Sequence, residues 1–87
     1  GITDLYAVDE EYAYAVSTAF ADDIAVVSDV YQTTNGGQSW EKVNQSRIYA
    51  DAIEFSSRQV GITTSGNVLQ LTLDGGKTWK PLVYPLE

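Results

Sequence analysis

Cysteine and histidine are both absent from the 87 residues of this chain. Without cysteine there is no disulfide and no thiolate metal site. Without histidine the chain lacks the commonest general base, the usual zinc ligand and the base of a Ser-His or Cys-His nucleophile pair. The missing cysteines do not fix a compartment, because they only remove the disulfide argument for an oxidising one.

Basic residues are scarce: Lys and Arg number 5 against 12 Asp and Glu, for a formal net charge of −7. The first 29 residues hold seven of the acids and no base. Such a chain is a poor partner for nucleic-acid phosphates. We interpret the acidic half as a solvated surface, with a basic partner or a bound cation as the sharper alternative. No EF-hand loop pattern supports a calcium site, so we expect neither a metal nor a cofactor.

Long apolar runs are also missing, and none approaches the roughly 20 residues of a membrane span. No signal peptide is present, and the chain begins Gly1-Ile2 without Met, which we interpret as a processed or trimmed chain. A chain of 87 residues is one small domain or a piece of a larger one. It is expected to bury about 60% of its extended surface, so the core is thin.

One octapeptide occurs twice, as TTNGGQSW at 33–40 and as TLDGGKTW at 72–79, at an offset of 39 residues. Upstream, residues 4–8 resemble 51–55 at an offset of 47. The change of offset predicts that the first copy carries 8 extra residues between Ser17 and Val30. The chain is therefore predicted to contain two copies of one unit, at 1–45 and 46–87.

Each copy is predicted to form four antiparallel strands, because β-branched and aromatic residues alternate with polar ones between clusters of Gly, Asn, Asp and Ser. The predicted strands are 3–8, 12–19, 24–34 and 39–43, then 50–55, 59–64, 68–73 and 77–84. The extra residues lengthen the second and third strands into a protruding hairpin with its tip at Ala21-Asp22-Asp23. No segment has a convincing helical period, so the predicted fold class is all-β.

The repeated octapeptide, called the box below, has the pattern T-x-[DN]-x-G-x-[ST]-W. The Asn or Asp side chain is expected to fold back onto the turn, the glycines to permit positive φ, and the Trp to cover the turn with an apolar face. Because Asn35 cannot act as an acid or a base, a structural role is favoured over a catalytic one. The box residues are Thr33, Asn35, Gly37, Ser39, Trp40, Thr72, Asp74, Gly76, Thr78 and Trp79.

These boxes resemble the Asp-box (BNR) repeats of β-propellers. With Ile53-x-Phe55, Gly61 and Gly66 upstream, the second box is similar to the repeats of photosystem II assembly and stability factors and of sortilin-type receptors. The resemblance implies that each copy is one four-stranded propeller blade, with the box in the turn between the third and fourth strands. It also favours an extracellular or periplasmic location.

Two blades cannot close a ring, which leaves an apolar face of each without a neighbour. Either the chain is an excerpt of a longer propeller or copies associate head to tail, three giving six blades and four giving eight. A lone two-layer domain is a third option. We expect the isolated chain not to be a stable monomer with two bare faces. In a head-to-tail assembly the acidic first copy would face the more basic second copy of a neighbour.

The favoured function is a non-catalytic binding or scaffold module, because propellers hold recognition loops on a rigid ring. Its partners would be other copies of the chain, further blades of a longer chain, or another protein. Arg47 and Tyr49 lead the contact candidates, since Arg and Tyr dominate interface hot spots. The alternative, purely structural interpretations are a surface ion pair for Arg47 and inter-blade packing for Tyr49. The residues expected on the binding face are Asp22, Asp23, Arg47, Tyr49 and Asn67.

Two other functions stay open. The first is a fragment of an Asp-box glycoside hydrolase, since the resemblance includes sialidases; those enzymes need an arginine triad and a tyrosine nucleophile, and this chain has only Arg47 and Arg58. The second is a carbohydrate-binding lectin in which Trp40 and Trp79 stack on sugar rings. The box pattern places both tryptophans in the core of the turn, which counts against that use. Because two arginines cannot form the arginine triad, we expect no catalysis by this chain.

Overall fold

The computed structural model describes residues 2–22, 24–66 and 68–82. Those residues form β-strands and no helix, which confirms the all-β prediction. The described residues therefore include no helix that could span a membrane. The strands are β1 Ile2–Ala7, β2 Ala13–Ala21, β3 Ile24–Thr33, β4 Glu41–Lys42, β5 Ala52–Phe55, β6 Gly61–Ser65, β7 Val68–Thr72 and β8 Lys80–Leu82.

The strands build two four-stranded antiparallel sheets, in the orders β1-β2-β3-β4 and β5-β6-β7-β8. Within each sheet every strand pairs with the next one in the chain, which is the topology of a propeller blade. We call the sheets blade one and blade two. The fourth strands begin later than predicted, because the last residues of each box, 39–40 and 77–79, belong to the turn before pairing begins.

The register of the hairpins corrects the repeat offset. Ala13 pairs with Thr33 in blade one, and Gly61 pairs with Thr72 in blade two. The paired residues of β2 and β6 are thus 48 apart, whereas the box threonines are 39 apart, so the hairpin of blade one is longer by 9 residues and not by 8. A shift of one residue exchanges the two faces of a strand, and it makes Phe55 the equivalent of Ala7.

The turns between the first two strands of each blade are also 48 residues apart. Asp9 Oδ1 accepts hydrogen bonds from the backbone N–H groups two and three residues on, both at 2.9 Å. Ser57 Oγ accepts from the corresponding N–H groups at 3.3 and 3.1 Å. Asp and Ser stabilise the same turn by the same side-chain acceptor. A comparison of residue letters misses this equivalence, and that is why the offset of 47 was wrong.

The blades pack face to face around a pair of aromatic rings. Tyr14 of blade one stacks on Phe55 of blade two, with ring centroids 3.7 Å apart and an interplanar angle of 5°. Trp79 meets the edge of Phe55 at 6.3 Å and 83°. Gly61 lies beneath the Phe55 ring, where an added Cβ would come within 2.7 Å of a ring carbon. The buried core comprises Tyr14, Val16, Val30, Ile48, Ala50, Ile53, Phe55 and Trp79.

The opposite face of each blade carries apolar side chains that no described residue of the other blade covers. We call these the outer face of blade one and the outer face of blade two. On the outer face of blade one the apolar side chains line an open groove, which is formed by Ile2, Leu5, Ala15, Ser17, Tyr31 and Trp40. Strand pairing puts a second set on the outer face of blade two, namely Ala52, Ile62, Leu69, Leu71 and Leu82. The predicted apolar character of both blade faces is thus present in the structure.

The two box tryptophans differ in burial, which corrects the expectation that both lie in a turn core. Trp79 is 9% exposed, whereas Trp40 is 39% exposed. Trp79 faces blade one and packs on Phe55. Trp40 lies on the outer face of blade one, where Ala7 takes the position of Phe55 and no second sheet is present among the described residues. Burial of this ring therefore depends on the neighbouring blade, not on the box itself.

This difference predicts unequal costs for two matched substitutions. Trp79→Ala is expected to lower the free energy of unfolding by about 3–5 kcal/mol, because it removes a large ring from the core. Trp40→Ala is expected to cost about 1–2 kcal/mol, since much of that ring is already in water. Denaturant unfolding followed by circular dichroism measures both. Equal losses would contradict the assignment of Trp79 to the interface between the blades.

Candidate functional site

Both boxes have the same set of hydrogen bonds around the threonine. The hydroxyl of Thr33 donates to Asn35 Oδ1 at 2.9 Å and accepts from Gly37 N at 2.9 Å. Thr72 makes the equivalent contacts with Asp74 and with Gly76 N, again at 2.9 Å. The Asx oxygen also accepts the N–H four residues on, at 3.0 Å in both boxes. Each box is thus closed by its own side chains.

The glycine pairs follow the conformation that the pattern predicts. The φ angles are 72° and 92° at Gly36 and Gly37, and 75° and 91° at Gly75 and Gly76. This left-handed region is strained for residues with a Cβ. At Gly76 an added Cβ would also lie 3.3 Å from Val43 of blade one. The second box is therefore both a turn and part of the interface between the blades.

One difference between the boxes is electrostatic. Thr78 Oγ1 donates to Asp74 Oδ2 at 2.6 Å, whereas in the first box Asn35 Nδ2 donates to Ser39 Oγ at 2.8 Å. The Thr78 hydroxyl, followed by the Thr78 N–H and the Thr72 hydroxyl, lowers the pKa of Asp74 to about 2. A carboxyl of that pKa is ionised at neutral pH and already accepts several hydrogen bonds. It is poorly suited to act as a general acid.

An arginine clamp joins the ends of the two blades. Arg58 Nε donates to Asp9 Oδ2 at 2.9 Å, and Arg58 Nη2 donates to Glu11 Oε1 at 3.1 Å. The guanidinium also lies 3.9 Å above the ring of Tyr12. The Arg58 hydrogen bond is the largest cause that lowers the pKa of Asp9 to about 2, ahead of the turn N–H groups. Sequence reasoning missed this clamp, because nothing local links residues nearly fifty positions apart.

Three half-buried hydrogen bonds inside the interface complete the junction. Asp4 Oδ2 accepts the backbone N–H of Ile53 at 2.9 Å. The Tyr14 hydroxyl donates to the carbonyl of Arg58 at 2.6 Å and accepts from Gln32 Nε2 at 2.7 Å. Burial raises the pKa of Tyr14, so its hydroxyl keeps its proton as a donor. The ring stack is thereby fixed at its polar end as well.

The connector between the blades is held by the inserted hairpin. Ser28 Oγ accepts from Ala50 N at 2.9 Å, and Thr18 Oγ1 donates to Ala50 O at 3.1 Å. Both hydroxyls are buried, and both lie just beyond Ser17 and Asp29, the last pair of this hairpin that has a paired equivalent in blade two. Asn44 seals the edge of β3 above the short β4, because its Oδ1 accepts from Val30 N at 2.9 Å. The insertion is therefore a structural support as well as a protrusion.

This connector also reaches the end of blade two. The backbone N–H of Ser28 donates to Ile48 O at 2.9 Å, and the N–H of Asp51 donates to Thr64 O at 2.7 Å. Both blades thus hold the segment on which Arg47 and Tyr49 were predicted as contacts. We call the surface formed by this connector and the adjoining hairpin ends the connector face.

Three of the residues predicted to bind a partner are described by the structure, and these three lie on the connector face. Arg47 is exposed and makes no ion pair within the described ranges. Tyr49 is 47% exposed and is outside the core that joins the blades. Asp22 is exposed at the hairpin tip, with a positive φ of 53°. Asp23 and Asn67 lie outside the described residues. In the same ranges no three acidic side chains come together as a metal site.

A solved structure described as "YCF48 bound to D1 peptide" is similar to this chain, with a TM-score of 0.64 and 22% identity. The chain has the fold of part of a β-propeller. The similarity covers 98% of this chain and 27% of that one, so the chain spans about a quarter of that structure's length. No family model matches the sequence. A search of curated proteins also finds no match.

The low pKa of Asp74 predicts a pH dependence with a defined sign. The folded value of about 2 lies below the ordinary value of 3.8, so ionised Asp74 favours the folded state. This contribution is complete above about pH 4 and is lost as the pH falls towards 2. We expect Asp74→Asn to flatten the decline of the melting temperature over that range, as followed by circular dichroism.

Asn35→Asp is the matched control for the Asp74 experiment. It places a titrating carboxyl at the same position of the first turn, opposite the Ser39 hydroxyl, and should steepen the same decline. Parallel curves for wild type and both variants would show that the box carboxyl has no part in acid sensitivity.

Proposed function

We propose that this chain is a non-catalytic pair of Asp-box-type propeller blades that serves as a protein-interaction scaffold. The connector face, with Arg47 and Tyr49 at its centre, is the contact surface. The outer faces of the two blades are buried in the working assembly, against other copies of the chain or against further blades of a longer one. One observation carries the proposal: the segment bearing both contact residues is fixed at each end while their side chains stay exposed.

Rigidity of the connector favours binding. Ser28 and Thr18 hold Ala50 from one side, and Asp51 donates to Thr64 of blade two on the other. A partner therefore meets a segment that is already ordered, which lowers the entropic cost of association. Arg and Tyr side chains on such a support are the types that contribute most at interfaces.

The state of the carboxyls favours a non-catalytic role. Asp9 and Asp74 have the lowered pKa values, and both are engaged by the groups that lower them. A glycosidase needs one carboxylic acid whose pKa is raised, close to a second carboxylate. The lowered pKa values support a scaffold over the glycoside hydrolase alternative.

The type of partner is proposed by analogy with the similar structure. In that structure YCF48 is bound to a D1 peptide. We extend only the class of partner to this chain, a polypeptide, and we assign the contact to the connector face on the evidence of its own exposed residues.

A peptide selection tests this proposal. Random dodecapeptides displayed on phage are selected against the immobilised chain, and the recovered peptides are synthesised and titrated by fluorescence anisotropy. We expect Arg47→Ala with Tyr49→Ala to weaken their binding at least about tenfold, as loss of hot-spot residues does.

Lys80→Ala provides the control, because Lys80 is an exposed base that pairs with Leu71 on the outer face of blade two. It should leave peptide affinity unchanged. Peptides that bind the double variant as tightly as wild type would contradict the assigned surface, and failure to recover any binder would contradict a peptide-binding scaffold.

A further inference from the structure

The interface between blade one and blade two shows which contacts this type of junction uses. Each residue of the first two strands of blade one corresponds to the residue 48 positions later in blade two, and each residue of the last two strands to the one 39 positions later. With these offsets, each contact of the existing interface can be mapped onto the outer faces. The outer face of blade one is equivalent to the face that blade two turns toward blade one. The outer face of blade two is equivalent to the face of blade one that receives it. A second copy docked head to tail would therefore pair these two outer faces.

The first contact that does not transfer is the one made by the half-buried carboxylate of Asp4. Asp4 accepts the N–H of Ile53 across the existing interface. Ala52 occupies the position of Asp4 on blade two, and Leu5 occupies the position of Ile53 on blade one. In a head-to-tail pair the N–H of Leu5 would meet a methyl group. An N–H buried without an acceptor disfavours that contact.

The arginine clamp does not transfer either. Glu10 stands at the position of Arg58, while Ser57 and Gln59 stand at the positions of Asp9 and Glu11. The pairing of the turns supports this alignment, since Gly36 N donates to Glu11 O and Gly75 N donates to Gln59 O. A copy docked on blade two would present a carboxylate where the existing junction presents a guanidinium. It would face Ser57 and Gln59 of blade two, and Arg58 between them is already bound to Asp9 and Glu11 of its own chain.

The aromatic stack is missing from the outer faces as well. Ile62 replaces Tyr14, and Ala7 replaces Phe55. Ala13 stands where Gly61 leaves room for the Phe55 ring, so its methyl group fills the space that such a ring would need. An isoleucine opposite an alanine fills less volume than two stacked rings, and a copy docked in the same geometry would leave a void.

We infer that the outer face of blade one binds a sheet of different sequence, with a carboxylate opposite the N–H of Leu5 and a basic residue opposite Glu10, and does not bind a second copy of this chain. This rests on the proposed propeller scaffold and selects further blades over self-association. The apolar groove formed by Leu5, Tyr31 and Trp40 supplies the buried area for such a sheet.

A graft of the polar contacts tests the inference. The variant Glu10→Arg, Ala52→Asp, Ser57→Asp and Gln59→Glu copies the Asp4 contact and the arginine clamp onto the two outer faces. Association of wild type and variant is measured by sedimentation velocity at low ionic strength, where charge pairs are least screened. We expect wild type to form no discrete closed oligomer, and the graft to self-associate at least about tenfold more tightly.

The matched control carries the three blade-two acids and keeps Glu10, so that like charges meet across the docked faces. It should associate no better than wild type. A discrete trimer or tetramer of wild type would overturn the inference, as would a folded graft that associates no more tightly than the control. Neither result touches peptide binding through Arg47 and Tyr49, so failure of the proposed function is separately visible.

Discussion

The stack of Tyr14 on Phe55 fixes how the two sheets of this protein meet. Two rings in parallel contact, with centroids 3.7 Å apart, define both the distance and the rotation between the blades. The stack requires Gly61 beneath it, since a Cβ there would collide with the Phe55 ring. It also places Trp79 against the Phe55 edge. Much of the core follows from this one contact.

Polar contacts on both sides of the stack determine how the two blades are oriented relative to each other. The Tyr14 hydroxyl bonds the carbonyl of Arg58, and the side chain of Arg58 returns to Asp9 and Glu11 of blade one. At the other end of the junction, Asp4 bonds Ile53 N. Exposed ion pairs contribute little to stability, but buried or directional contacts discriminate between alternative neighbours. The same contacts therefore hold the blades together and distinguish the right neighbouring sheet from a wrong one.

The inserted hairpin links this junction to the connector face. Its buried hydroxyls, on Thr18 and Ser28, hold Ala50, and its edge pairs with Ile48. A protrusion on one blade thereby orders the segment that leads to the next. The strand pairing of the equivalent hairpin in blade two ends one pair before the position of Thr18 and Ser28, at Ser65 and Val68, so the two hairpins share a fold but differ in length.

The boxes, the strand order and the hairpin insertion could be predicted from the sequence, because they depend on local patterns of Gly, Asx, Trp and alternating apolar residues. The register could not, since Asp9 and Ser57 make one kind of turn with different residue types. The Arg58 clamp joins positions far apart in the chain, which no local pattern records. Trp40 and Trp79 belong to the same motif, yet their burial differs because burial depends on what lies opposite each ring.

The arrangement of the blades is most directly tested by nuclear Overhauser effects measured on the isotope-labelled chain. The structure predicts cross-peaks between the ring protons of Tyr14 and Phe55, whose centroids are 3.7 Å apart, and from the Ile53 amide to Asp4. Cross-peaks confined to pairs within each four-stranded sheet, with none between the sheets, would contradict the face-to-face packing on which the account rests.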